Sequence, residues 1–254
     1  MKNFKEKIIS FLGRDCRIET VPLIDSTNRA VKDLAEQGAP EGLVFFAEEQ
    51  TAGRGRMGRS FFSPPGSGLY FSVLLRPKDT DPLKITVAAG VAVARAVQET
   101  LGLELQIKWV NDLYFKNKKV CGILAEGLVS EEGLEYCVLG VGVNVFAPRA
   151  GFGELDVIAG ALLEEPRDGL RAKLAAAILN HFSALYENLE DPAILQEYRG
   201  RSYLQGKTVT ALRGNERFRA MVVGIDDTAA LLLKRENGQV VALSSGEVQL
   251  EDYR

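Results

Sequence analysis

The chain has 254 residues, 46% of them hydrophobic, with a formal net charge of −3. That length suggests one or two globular units, and the near-neutral charge argues against a general nucleic-acid binder, whose footprint is a basic face. No apolar run approaches the ~20 residues of a bilayer span, and the first residues carry no signal-peptide core.

Residues 3–13 have the spacing of a short amphipathic helix. Asp25, Ser26 and Thr27 offer N-cap side chains for a second helix carrying Ala30, Val31, Leu34 and Ala35. Residues 38–42 read as a turn and 43–47 as a buried strand. That strand delivers Gln50 and then Gly53-Arg54-Gly55-Arg56-Met57-Gly58-Arg59. Alternating glycine and arginine has no use in a core. Glycine lets backbone N–H groups approach a ligand closely, and arginine presents a planar fork of donors to phosphate or carboxylate. A mobile loop that closes over an anion is expected. No Gly-Lys-Ser/Thr follows, so it is not a Walker A loop.

Residues 69–75 read as the next strand. Asp81-Pro82 has the chemistry of a helix start, and the helix runs, apolar nearly all round, to Gly102. Residues 106–110 read as a strand with Asn111-Asp112 at its polar exit. Residues 113–115 and 120–124 flank a hairpin turn at 116–119; Lys116 and Lys118 read as a solvated edge, while Lys119 returns on the strand beside Gly122. Residues 124–129 and 136–141 make a second hairpin around 130–133, with Asn144 past its end. Gly140-Val141-Gly142 lies within a strand, which excludes a dinucleotide fingerprint.

Helical spacing covers about 154–164, 167–189 and 192–200. The single histidine, His181, flanks an apolar stripe and reads as structural. Cys16, Cys121 and Cys137 have no metal-ligand spacing and read as reduced thiols of a cytoplasmic protein. Short strands at 209–211, 218–223, 231–234 and 240–243, with a hairpin signal at Asn237-Gly238, fit a small barrel. The fold class is α+β: a mixed, largely antiparallel sheet flanked by helices over residues 1–203, then a small barrel over 204–254.

Four blocks occur in order: the Gly53–Arg59 loop, Lys108-Trp109-Val110-Asn111-Asp112, Lys119-Val120-Cys121-Gly122-Ile123-Leu124-Ala125-Glu126, and Gly140-Val141-Gly142-Val143-Asn144. Together they resemble the biotin protein ligases, which attach biotin to the carrier protein of biotin-dependent carboxylases such as acetyl-CoA carboxylase. The likeness spans about residues 20–250. Val110 stands where that family usually has proline and Phe61 where it usually has tryptophan.

The resemblance implies a class II synthetase-like catalytic unit, an SH3-like C-terminal barrel, and two steps. Biotin and ATP give biotinyl-5′-AMP, and a carrier lysine then attacks it. It implies biotin contacts at Ser26, Thr27, Asn28, Gln50, Gly53, Arg54, Gly55, Arg56, Lys119 and Gly122. ATP and adenylate contacts are implied at Arg56, Arg59, Phe61, Asn111, Asp112 and Asn144. Lys119, Arg54 and Arg56 carry catalysis, with Lys119 between the biotin carboxylate and the α-phosphate, and Asp112 is the first ligand for Mg²⁺. The stretch before residue 20 is shorter than the ~40–60 residues of a small domain, so a ligase-only form is expected, with no DNA-binding domain and with neither nucleic acid nor membrane as a partner. The oligomeric state stays open, a homodimer included. Two alternatives remain: a lipoate or octanoyl ligase or transferase of related fold, whose basic-glycine motif differs, and a non-catalytic biotin sensor, against which Lys119 and the three loop arginines argue.

Overall fold

The computed structural model describes residues 1–77, 80–130 and 133–250. The turn residues Glu131 and Glu132 of the second hairpin, and the last four residues of the expected barrel, lie outside the described residues.

A seven-stranded sheet forms the centre. Its strands are β1 (Ile18–Ile24), β2 (Val44–Gln50), β3 (Gly68–Leu75), β4 (Gln106–Lys108), β5 (Asp112–Phe115), β6 (Lys118–Ser130) and β7 (Gly133–Asn144). They lie in the order β1-β2-β3-β7-β6-β5-β4. Only β1 and β2 run parallel; the other pairings are antiparallel. The helices are α1 (Lys2–Phe11), α2 (Thr27–Glu36), α3 (Pro82–Leu101), α4 (Leu170–Tyr186) and α5 (Pro192–Gly200).

Strand alternation divides the work of the two sheet faces. Phe71, Val73, Leu75, Leu139, Val141, Val143, Cys121 and Ile123 point to the face covered by α1, α3, α4 and α5, forming the main core. Each such side chain, fully buried, contributes ~1.5–3 kcal/mol. On the other face Phe45, Leu74, Tyr136 and Val138 form a smaller cluster with Val31 and Ala35 of α2. Helix α3 is held at both ends as its sequence requires. Asp81 accepts from the Leu83 amide at 2.8 Å, and Gly102 closes it in the left-handed region at φ 68°.

Four expectations need correction. Strand β1 falls where no strand is expected, because Pro22 and mixed polarity hide it; it is an edge strand, which tolerates proline. The helix over 154–164 is only a 3₁₀ turn, Gly153–Val157. Beyond it the amides of Leu162 and Leu163 donate to Asn144 and Val145 carbonyls, so tertiary pairing takes the bonds a helix would need. Strand β4 stops at Lys108. Trp109 and Val110 turn away, the Trp109 indole donating to Ala229 O at 2.9 Å and Tyr198 Oη to Val110 O at 2.8 Å. Finally, the C-terminal strands β8 (Thr208–Arg213), β9 (Glu216–Ile225), β10 (Leu231–Lys234), β11 (Val240–Leu243) and β12 (Glu247–Leu250) include one the sequence reading lacked, β12. They form a five-stranded antiparallel sheet with β11 and β12 at its edges.

Candidate functional site

Helix α2 covers only one end of its face of the sheet, and the residues beyond it shrink. The register aligns Tyr70, Gly142, Gly122 and Asp112 in one row across β3, β7, β6 and β5, and Ser72, Gly140 and Leu124 in the next. These glycines leave a cleft of about 880 Å³ between α2, the basic loop and the C-terminal sheet. Close approach explains them. A Cβ on Gly142 would lie 2.6 Å from the Phe61 ring, and one on Gly140 would lie 2.1 Å from Asn28 Oδ1.

One end of the cleft is a neutral polar network at the start of α2. Ser26, Thr27, Asn28 and Ser72 are 2%, 3%, 5% and 0% exposed. The Thr27 amide and hydroxyl both donate to Gln50 Oε1, at 2.8 and 3.1 Å, and Gln50 Nε2 donates to Ser63 Oγ at 2.9 Å. Ser72 Oγ donates to Asn28 Oδ1 at 2.6 Å and lies 2.8 Å from Thr27 Oγ1. Asn28 Nδ2 donates to Glu126 Oε2 at 2.8 Å. Ser26 holds the N-cap position of α2, yet its hydroxyl makes no capping bond. Buried donors and acceptors packed this densely suit a compact uncharged polar ligand, since each group left unmatched costs about 1–3 kcal/mol.

The other end is cationic. The Gly53–Arg59 loop is a tight hairpin rather than an open coil: Gly55 N donates to Arg59 O at 2.7 Å and Phe61 N to Gly53 O at 2.8 Å, with Met57 and Gly58 at positive φ. Its arginines already have acceptors. Arg54 pairs with Glu126 at 3.1 Å. Arg56 donates to Asn111 Oδ1 at 3.4 Å and to Gly246 O at 3.3 Å. Arg59 pairs with Glu247 on β12. Lys119 Nζ stands 2.7 Å from Asp112 Oδ1. Lys108 also lines the cleft. Burial pushes its ammonium below the ordinary lysine range, against the pull of Asp112 and aided by Lys119 and Arg59.

Among the described residues no three acidic, histidine or cysteine side chains converge as a metal site. Asp112 Oδ1 is nevertheless buried, and its partner is the Lys119 ammonium, so the oxygen is freed when that lysine turns to a ligand. One such oxygen fits a Mg²⁺ ion that takes its remaining ligands from phosphate and water. His181 is remote in role, pairing with Glu99 at 2.7 Å between α4 and α3.

The fold therefore brings Ser26, Thr27, Asn28, Gln50, Arg54, Gly55, Arg56, Arg59, Phe61, Asn111, Asp112, Lys119, Gly122 and Asn144 to one cleft. Gly53 lies just behind it, where a Cβ would meet Phe61 O at 2.4 Å. Sequence reasoning missed Ser63, Ser72, Gly246 and Glu247, and gave no site role to Lys108 and Glu126 although both lie in the resembling blocks. Parity could have found Ser72, the polar interruption of a buried strand; nothing local marks Glu247.

Residues 20–144 match the Biotin/lipoate A/B protein ligase family, and residues 205–250 match the Biotin protein ligase C terminal domain. The chain is 33% identical over 237 residues to the bifunctional ligase/repressor BirA of Bacillus subtilis, spanning 90% of this chain and 72% of that protein. It is 33% identical over 248 residues to the biotin–[acetyl-CoA-carboxylase] ligase of Mycobacterium tuberculosis, spanning 91% and 88%. Among solved structures, the biotin protein ligase from Aquifex aeolicus in complex with biotin and ATP superposes with a TM-score of 0.76 at 28% identity, covering 92% of this chain and 98% of that one.

Proposed function

The chain belongs to the biotin protein ligase family and is a biotin ligase, and on that footing we propose how its cleft divides the work. The buried network of Ser26, Thr27, Asn28 and Gln50 takes the ureido ring of biotin, whose carbonyl and two N–H groups need matched partners. The valerate chain then runs over the Gly122–Gly142 floor toward Lys119. Phe61, Asn111 and Asn144 take the nucleoside side, and Arg54, Arg56 and Arg59 take its phosphates.

In the first step a biotin carboxylate oxygen attacks the α-phosphorus of ATP, and the bond to pyrophosphate breaks. Two anions must meet, so fixed positive charge is the main requirement. Lys119 meets it at the carboxylate and α-phosphate, and the loop arginines meet it at the departing oxygens. Lys119, Arg54 and Arg59 do so by exchanging the carboxylates of Asp112, Glu126 and Glu247 for a ligand oxygen, and Arg56 by leaving Asn111 Oδ1 and the Gly246 carbonyl. Mg²⁺, held by Asp112, supplies charge neutralisation at pyrophosphate when bound. In the second step the neutral amine of a carrier lysine attacks the acyl carbon, the acyl–phosphate C–O bond breaks, and AMP leaves with the electron pair while the nitrogen loses a proton. The hairpin and the 152–158 rim keep water from the mixed anhydride until then.

The carrier is the biotin-accepting protein or domain of acetyl-CoA carboxylase or a related carboxylase. The three free thiols support a reducing, cytoplasmic setting, and the C-terminal unit, taken from residue 204, completes the phosphate side. The observation that carries this reading is the meeting of a neutral buried network and five basic side chains, Arg54, Arg56, Arg59, Lys108 and Lys119, in one cleft. Pyrophosphate release tests it: release that needs both biotin and ATP is expected, and release no faster than without biotin would overturn it.

A further inference from the structure

Lys118 is not the solvated edge residue its lysine-rich turn suggests. Its Nζ donates to Asp156 O at 2.6 Å and to Val157 O at 2.8 Å. These carbonyls end the 3₁₀ turn Gly153–Val157, where helical carbonyls lack internal partners and a cation is favoured. A second feature fits the lysine stem. Gly160 passes so close that a Cβ there would lie 2.6 Å from Lys118 Cβ. Around that crossing Lys119 N donates to Ile158 O at 2.8 Å, Gly160 N to Lys119 O at 2.9 Å, and Asn144 Nδ2 to Gly160 O at 3.0 Å.

The tethered segment carries Phe152, Leu155 and Ile158 to the mouth of the cleft. Phe152 meets the Phe62 ring edge-on at 6.4 Å, but Leu155 and Ile158 are 38% and 46% exposed, so packing of their own side chains holds them only weakly. The ammonium of Lys118 and a two-bond backbone bridge hold them instead, on the strand that carries Lys119.

We propose that Lys118 is a positioning residue for the ligase reaction, fixing the apolar rim of Phe152, Leu155 and Ile158 over the cleft through the carbonyls of Asp156 and Val157. The role rests on the ligase reading above. The neighbouring Lys119 meets the reacting groups, while Lys118 sets the wall beside them.

The test compares Lys118→Met and Lys118→Arg in the full chain, with two readouts. Amide hydrogen exchange reports the tether in the free protein: Leu155, Ile158 and Ala159 are expected to exchange at least ~10-fold faster in K118M, and near the wild-type rate in K118R, which keeps the donors. Pyrophosphate release reports function: K118M is expected to raise the KM for ATP about tenfold, more than it lowers kcat, with K118R restoring most of the loss. Unchanged exchange in K118M overturns the tether. Faster exchange with an unchanged KM overturns the positioning role. Gly160→Ala, which forces the lysine stem aside, is expected to follow K118M in both readouts. Wild-type protein that releases no pyrophosphate overturns the ligase reading instead, and the exchange measurement still decides the tether.

Discussion

Lys119 and Asp112 form an ion pair at the centre of the cleft, at 2.7 Å, with side chains 29% and 22% exposed. On the proposed mechanism, ligand binding breaks that pair and the lysine regains its energy from two ligand anions. Lys119→Ala is therefore expected to leave the fold intact and to lower adenylate formation by about 3 kcal/mol in activation free energy, on the order of a hundredfold. Pyrophosphate release by the purified variant at the wild-type rate would remove Lys119 from the mechanism. Glu126 acts differently, since one carboxylate joins Asn28 at the neutral end to Arg54 of the hairpin. Glu126→Gln keeps an acceptor for Asn28 but removes the charge opposite Arg54. The pair is half exposed and adds little to stability, so thermal unfolding should barely move while the KM for biotin rises several-fold. An unchanged KM with a lowered melting temperature would make Glu126 purely structural.

At the scale of elements, the cleft exists because β6 and β7 change from bulky to small residues where α2 ends. Val138 and Tyr136 pack under the helix, and Gly140 and Gly142 follow at the same parity. Gly140→Ala would put a methyl group 2.1 Å from Asn28 Oδ1. The side chain must move and break its bonds to Ser72 and Glu126, so biotin binding measured calorimetrically should fall by at least ~10-fold, in line with a buried polar network left partly unmatched. Unaltered affinity would mean that Asn28 does not meet the ligand. The basic hairpin allows a second test, because trypsin cleaves after Arg54, Arg56 and Arg59. Biotin, ATP and Mg²⁺ together are expected to slow these cuts more than any one of them, since only the adenylate engages both ends of the cleft. Equal rates in every condition would rule out closure of the hairpin over the ligand.

At the scale of the whole molecule, hydrogen-bonded carboxylates brace α5 against α3, close the turn between β9 and β10, and tie β12 to the basic hairpin. Burial alone would raise the Glu197 carboxyl, but hydrogen bonds from Arg95 and Arg201 hold it below the ordinary range. Burial is likewise outweighed at Asp226 by the Thr228 hydroxyl and the Ala230 and Thr228 amides, and at Glu247 by Arg59. A folded-state pKa below the unfolded one adds stability above the unfolded value, which disappears as pH falls through the folded value. Stability should therefore be steady near neutrality and decline below about pH 4. Glu197→Gln should flatten that decline in acid denaturation followed by Trp109 fluorescence, Trp109 being bonded across the junction to Ala229. A slope unchanged by the substitution would place the acid sensitivity elsewhere.

Much of this was legible in the chain itself, and the division follows from the range of the interactions involved. Helix α3 runs from its Asp81 cap to Gly102, the β5–β6 and β6–β7 hairpins pair neighbours in sequence, and the basic hairpin carries its own turn residues. Such elements depend on residues a few positions apart, so their spacing determines them. The tertiary structure alone decided that β1 joins an edge beside β2, that residues 159–163 pair with Lys119 and the end of β7, and that Lys118 holds a rim 38 and 39 residues away. It also brought Glu247 to Arg59 across 188 residues. A lysine or glutamate at a surface turn has the same local pattern whether water or a distant carbonyl or guanidinium receives it. Its partner is chosen only when the hydrophobic core has fixed where the chain returns.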